Sequence, residues 1–317
     1  MSLESEYNLQ QKTAKVLYSL YRDCAEGFMG FTDIAITLHT PDIVVLSPEQ
    51  MCENLHPVTV FEVKTSVKWE HLGQIYRYGL YAPTYVVVPA SEAEELKMRR
   101  YTMFQALKGL GVGLVALDID REELKVILEP GESLAIAEYT LYDAILWQVF
   151  RNLLKIPPQT FSRIYTVMAE FLQRELTRFI NVDKMPALGR GDKHFVKVII
   201  NTLSLQKKIL PLAENPLTIE VLDPEVFKLT PEEFMKQVLL LKPLARITNF
   251  IMRVMLQKSI ENILQQYCYI HAPLLLLYTK GLPLQRIGQS YDTICQGIYG
   301  DLHECYTNML VYLKGEY

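Results

Sequence analysis

Along the first 130 residues the spacing of apolar positions changes several times. From about Glu4 to Glu26, residues Leu9, Thr13, Val16, Leu17 and Leu20 share one face at helical spacing, which predicts an amphipathic helix ended by Gly27 and Gly30. FTDIAITLH and PDIVVLS then read as short strands joined at the HTP turn, and VTVFEVKTS, rich in β-branched residues, as a third. Lys68 to Tyr81 returns to helical spacing and stops at Pro83. PTYVVVPA predicts a buried strand, SEAEELKMRRYTMFQALKGL one helix capped by Ser91, and GVGLVALDI another strand. The predicted order is α-β-β-β-α-β-α-β, an α/β fold with a mixed sheet flanked by helices.

The pattern changes around EPGESLAIAEY, near residues 130–140, and this divides the chain into 1–135 and 136–317. The second part is expected to be a mainly α-helical domain, beginning with TLYDAILWQVFRNLLK and TFSRIYTVMAEFLQRELTRFI. The chain shows no internal repeat and no low-complexity tract.

Composition narrows the class. Half of the 317 residues are hydrophobic and 21% are charged, as expected of a folded core rather than a disordered chain. The longest apolar run, around APLLLLY, falls short of the roughly 18 residues that cross a bilayer, so no membrane span is expected. MSLESEYN has neither the basic nor the apolar stretch of a secretory signal. The five cysteines, Cys24, Cys52, Cys268, Cys295 and Cys305, are odd in number and scattered, which suits reduced thiols in a cytoplasmic protein. No CxxC pair offers a zinc site.

The net charge of −4 argues against a uniformly basic nucleic-acid coat, but its distribution is uneven. Residues 1–140 hold 12 Lys and Arg against 20 Asp and Glu, and residues 141–317 hold 20 against 16, giving −8 and +4. A carboxylate-rich part joined to a basic part suits a metal-binding module beside a phosphate-gripping one; it equally suits a protein with uneven surface charge.

The candidate chemistry lies in Asp42, Glu62 and Lys64. Strand alternation puts Glu62 and Lys64 on one face. Antiparallel pairing across the Pro48–Pro57 loop, with Ser47 opposite Val58, places Asp42 opposite Val63 and beside both. If the register slips, Asp33 replaces Asp42. Two adjacent carboxylates in a partly buried setting need a cation, and hard oxygen ligands suit Mg²⁺ or Mn²⁺. Such an ion polarises a phosphodiester and lowers the pKa of a bound water, while Lys64 orients the water or balances charge on the phosphate.

Pro41-Asp42 followed by Glu62-Val63-Lys64 resembles the PD-(D/E)XK motif of the restriction-endonuclease-like nuclease superfamily, and the element order resembles its αβββαβ core. The resemblance covers roughly residues 1–130. It implies that Asp42 and Glu62 are metal ligands with the Val63 carbonyl, that Lys64 is the catalytic lysine, and that the substrate is DNA. It further implies an acidic ligand on the first helix. Glu6, on the apolar face, is the candidate, with Glu26 behind it. RecB-like members carry Gln-x-x-x-Tyr after the lysine strand, matched here by Gln74 and Tyr78, with His71 one turn earlier. A solvated helix face remains an equal reading of Gln74, Tyr78 and His71. Some of those relatives hold an iron–sulfur cluster; Cys24 with Cys268, Cys295 and Cys305 has the count but not the close spacing, and core thiols are the alternative.

Between Arg174 and Lys208 the chain carries eight Lys and Arg against three acids, with LGRGDK as a basic turn before a helix. Arg190, Lys193 and Lys197 are the candidate DNA contacts there, and a solvated loop and helix face is the equal alternative. Arg99 and Arg100 are further candidate phosphate contacts on a helix that is otherwise packed and capped. The apolar helices that follow suit a second core or a homodimer face. GxxxxGK[ST] does not occur, so a helicase or ATPase would be a separate partner.

Overall fold

The computed structural model describes residues 3–31, 40–48, 52, 55–131, 135–174, 178–185, 189, 191–256, 300 and 303–312. It is an α/β structure built on a mixed six-stranded sheet. Helix α1 (Leu3–Tyr21) leads into β1 (Gly27–Gly30), β2 (Ile43–Leu46), β3 (Val58–Val63), α2 (Trp69–Gly79), β4 (Thr84–Pro89), α3 (Ala90–Met98), α4 (Tyr101–Gly109), β5 (Gly113–Asp118) and β6 (Glu123–Leu128). The strands lie in sequence order, β1-β2-β3-β4-β5-β6. The β3–β4 and β4–β5 pairs are parallel and the others antiparallel.

Alternation in the central strands sets up two cores. Val86 and Val88 of β4 join Leu72, Ile75, Leu96 and Leu107 of α2, α3 and α4. Tyr85 and Val87 point the other way, into a larger core. That larger core contains residues from both sides of residue 135, among them Leu9, Phe28, Val45, Leu146, Ile199 and Leu212. Each buried side chain of this size adds about 1.5–3 kcal/mol of favourable transfer.

The second half comprises α5 (Ala135–Leu154), α6 (Pro158–Arg174), β7 (Phe179–Asn181), α7 (Asp192–Leu205), β8 (Ile209–Ala213), β9 (Thr218–Val221), α8 (Pro231–Leu240) and α9 (Lys242–Leu256). Residues 303–312 are also helical. Strands β7, β9 and β8 form an antiparallel three-stranded sheet that helical periodicity alone did not foretell. They are three to five residues long, too short to show a period of two. Polar bonds also cross between the halves: Tyr142 donates its hydroxyl to Glu26, Ser204 to the Phe28 carbonyl, and the Glu214 amide bonds Gln10 Oε1 at 3.3 Å.

Several expectations are corrected. The first strand is GFMG, so Gly27 and Gly30 lie inside β1 rather than ending the helix, while the FTDIAITLH stretch lies, beyond Phe31, outside the described residues. Backbone proximity gives Gly30 its place, since an added Cβ would sit 3.2 Å from the Asp42 carbonyl oxygen. Leu20, expected on the buried face of α1, is 56% exposed because the helix ends one residue later. The helix expected from Ser91 to Leu110 is two helices broken at Arg99–Arg100, with Pro89 rather than Ser91 at its start. Strand β6 was not foreseen; it is an edge strand with no fully buried residue, although Leu124, Ile127 and Leu128 pack against the cores.

The cysteines are not all reduced. Cys24 and Cys52 form a disulfide, with their Cα atoms 5.2 Å apart. The pairing Gly27↔Leu46 brings the end of α1 beside the β2–β3 loop, a closeness hidden by 28 residues of sequence. Cys24 is therefore no cluster ligand, and the cysteine argument for a reducing compartment does not hold. Cys305 is a buried free thiol, and Cys268 and Cys295 lie outside the described residues. No helix among the described residues is long and apolar enough to cross a membrane.

Candidate active site

Strand β3 is buried along its whole length and sits between β2 and β4. A carboxylate is costly there unless paired, yet Glu62 is 1% exposed. Its companions come from three neighbouring segments. The β2–β3 register pairs Ile43 with Phe61 and Leu46 with Val58, one residue away from the expected alignment. Continued by one step, it sets Asp42 opposite Glu62 rather than Val63. The correction strengthens the site, because directly opposed residues share a face.

Asp42 and Glu62 then meet through both backbone and side chains. The Asp42 amide donates to Glu62 Oε2 at 3.3 Å, and the Val63 amide donates to Asp42 Oδ2 at 2.7 Å. Phe31 donates its amide to the Asp42 carbonyl at 2.7 Å. It does so at φ 53°, a conformation that an aromatic residue rarely adopts and that the surrounding packing must hold.

Lys64 follows at the end of β3, anchored by its amide to the Val87 carbonyl at 2.9 Å. Its ammonium lies 2.7 Å from Glu62 Oε1 and 3.8 Å from Asp42 Oδ2. Helix α2 contributes the rest. Gln74 Nε2 donates to Glu62 Oε1 at 3.2 Å and to the Tyr78 hydroxyl at 2.8 Å. Of the two readings of Gln74 and Tyr78, a solvated helix face does not describe them. Tyr78 is fully buried and Gln74 touches the carboxylate.

Two carboxylates share one ammonium in a largely buried place, and ionisation shows the strain. Burial pushes the Asp42 carboxyl up to about 8, with Glu62 adding to the rise and Lys64 and the Val63 amide opposing it. Burial works against the Lys64 ammonium, but Asp42 and Glu62 outweigh it and its pKa is raised. The Tyr78 phenol is also raised, by burial and then by Glu62.

Glu6 belongs to this neighbourhood, since its charge helps to hold Lys64 protonated and acts on His71 as well. Glu26 does not. Its amide bonds the carbonyl of Leu46, at the far end of β2 from Asp42. His71 serves α2 itself, with Nδ1 accepting the Lys68 amide at 3.3 Å. Burial and the nearby Lys64 lower its pKa below 6.5, so the ring is neutral at pH 7 and offers no fixed cation to a phosphate.

The basic candidates of the second half lie elsewhere. Lys193, in the first turn of α7, binds Asp183 at 2.9 Å. With Lys197, His194 and Glu214 it lines an open pocket of about 410 Å³. Arg190 and Asp33 lie outside the described residues. Arg99 is exposed, whereas Arg100 is engaged in a part-buried network with Glu92. Sequence reasoning missed Glu92, whose place in the first turn of α3 is where a carboxylate is favoured by the helix dipole.

Among the described residues no three His, Cys, Asp or Glu side chains form a ready metal cage. The donors at hand are the Asp42 and Glu62 carboxylates, with backbone oxygen beside them. All are hard oxygens, and once both carboxylates are ionised they carry more negative charge than Lys64 offsets, which suits Mg²⁺ or Mn²⁺. Compared with known proteins, the chain matches no protein-family model, no curated protein and no solved structure.

Proposed function

We propose that this chain is a metal-dependent nuclease of the PD-(D/E)XK kind, hydrolysing phosphodiester bonds of DNA in repair, recombination or defence against foreign DNA. One observation carries the reading. A buried and a largely buried carboxylate from adjacent segments share a single ammonium, and Gln74, whose Nε2 also donates to the Tyr78 hydroxyl, bonds the Glu62 carboxylate. A merely structural ion pair has no need of the second acid, which costs stability when ionised.

Asp42, Glu62 and the Val63 carbonyl would hold Mg²⁺ or Mn²⁺, with Glu6 closing the acidic side. Bound there, the ion supplies Lewis-acid activation of the phosphodiester and a water of lowered pKa. Lys64 holds a proton at Nζ beside both carboxylates, placed to orient the attacking water and to balance charge on the phosphate. Gln74 fixes the rotamer of Glu62 through Oε1, and Tyr78 fixes Gln74. DNA would reach the basic surface of α7 as an outer contact.

A second reading draws on the same ammonium. Lys64 Nζ already lies between the carboxylates, as it would in a silent nuclease fold that only binds nucleic acid or scaffolds an assembly. The two separate in one assay. Plasmid, single-stranded DNA and RNA are incubated with the protein in Mg²⁺ or Mn²⁺, beside Glu62→Ala and Lys64→Ala. Cleavage lost in both variants supports the nuclease, while wild-type protein that binds but cleaves no form supports the silent fold.

A further inference from the structure

The turn between Lys64 and α2 is held by a part-buried ion pair, a buried Glu92 with a half-covered Arg100, that the chemistry above does not use. Glu92 lies in the first turn of α3 and is 7% exposed. Since β3 and β4 are parallel, the residues that follow each strand emerge at the same edge of the sheet. The first turn of α3 therefore stands beside Ser66 and Val67. Glu92 Oε1 accepts from the Ser66 hydroxyl and from the Val67 amide, each at 3.0 Å, and from Arg100 Nη1 at 2.6 Å. Arg100 Nη1 reaches Ser66 Oγ at 3.3 Å, and Nη2 donates to the Val67 carbonyl. Both backbone polar groups of Val67 thus bond to this one pair, and the Val67 side chain is fully buried.

The break between α3 and α4 belongs to the same device. Arg100 stands at the start of α4 with φ −113° and ψ 42°, outside helical geometry. An unbroken helix, which the sequence pattern favours, would carry this residue past the turn. The break spends helical hydrogen bonding to bring one guanidinium back to Val67. A buried ion pair is weak evidence for stability, because desolvation offsets its attraction. Precise placement of the backbone is what remains. Three residues separate Lys64 from Lys68, the cap of α2, and the pair grips the middle of that span.

We propose that Glu92 and Arg100 are positioning residues: they fix the Ser66–Val67 turn and so set Lys64 and the start of α2 in register with Glu62. Their catalytic consequence rests on the nuclease reading, but their structural consequence at Gln74 does not.

The test uses the full chain with Glu92→Gln, Arg100→Met and the double variant. Removing both charges is expected to restore melting to within about 3 °C of wild type, since a neutral pair avoids the stranded charge of each single variant. Amide exchange at Val67 is expected to quicken in all three. The side-chain amide resonance of Gln74, bonded to Glu62 and Tyr78, is expected to shift or broaden. Single-turnover cleavage should fall about tenfold in the well-folded double variant with DNA affinity unchanged, where a purely structural role would have activity recover with melting temperature. Faster Val67 exchange with an unchanged Gln74 resonance overturns the proposal, as does cleavage that recovers with stability. If wild-type protein cleaves nothing, the nuclease reading fails, and the positioning role is decided by the Gln74 resonance alone.

Discussion

The charges at the end of β3 and those at the start of α7 are arranged in opposite ways. At β3, Asp42 and Glu62 share Lys64 inside the protein, with side-chain exposures of 13%, 2% and 17%. At α7, Lys193 binds Asp183 and Arg163 binds Asp192, one acid to each base, and both bases are more than half exposed. Water and salt screen the second set, and each such pair contributes little, about 0–1 kcal/mol. In the first set, little solvent reaches the second carboxylate, and its charge is met by a proton on Asp42 or by a cation. Imbalance under burial, rather than the number of charges, distinguishes a place built to receive a cation from a decorated surface.

The sharpest way to break that contrast is to remove a member of the buried set. Glu62→Ala or Lys64→Ala is expected to lower metal-dependent cleavage about a thousandfold or more, measured by single turnover on plasmid and single-stranded DNA. Cleavage within a few fold of wild type would place the chemistry elsewhere.

The pH dependence of stability tests the imbalance directly. Asp42 ionises near 8 in the fold and near 4 in the unfolded chain, so folding favours its protonated form. The contribution is complete below about pH 4 and is lost as pH rises through about 8. Metal-free protein should lose melting temperature across that window, and Asp42→Asn should flatten the loss. Saturating Mn²⁺ should restore the wild type at pH 8 and leave the variant less affected. A wild-type profile that is flat, or that rises with pH, contradicts the account.

A smaller effect is expected at α2. Gln74→Ala and Tyr78→Phe should each slow cleavage about tenfold, because Glu62 keeps Lys64 but loses its second support. Smallest of all is the α7 surface. The Lys193→Ala and Lys197→Ala pair should weaken DNA binding a few fold and reduce the salt slope by about 1–2, with the single-turnover rate on bound DNA unchanged. An unchanged salt slope removes α7 from the DNA path.

How far the sequence showed these two regions follows from the range of the interactions involved. Strand alternation put Glu62 and Lys64 on one face, whereas Gln74 and Tyr78 were singled out by the resemblance and stood level with a solvated helix face, because periodicity does not say which way a helix turns toward the sheet. Asp42 depended on a register, and that estimate erred by one residue because it was counted from Ser47 opposite Val58, whereas Leu46 is the residue that pairs with Val58. Glu92 stands in the first turn of its helix, where a carboxylate is favoured, but its pairing with Val67, like that of Arg100, spans 25 and 33 residues and depends on parallel strands ending at a common edge. The strands β7, β8 and β9 failed for another reason, being shorter than the window in which a period can be counted. The Cys24–Cys52 bridge likewise needed the β1–β2 pairing to be known.

Glu62 receives three donors, from Lys64 Nζ, Gln74 Nε2 and the Asp42 amide, on its two oxygens. An amide in its place keeps the shape but offers a single acceptor, and turns its own NH₂ group toward one of those donors. The most isosteric exchange at this position is therefore the most disruptive to its neighbours.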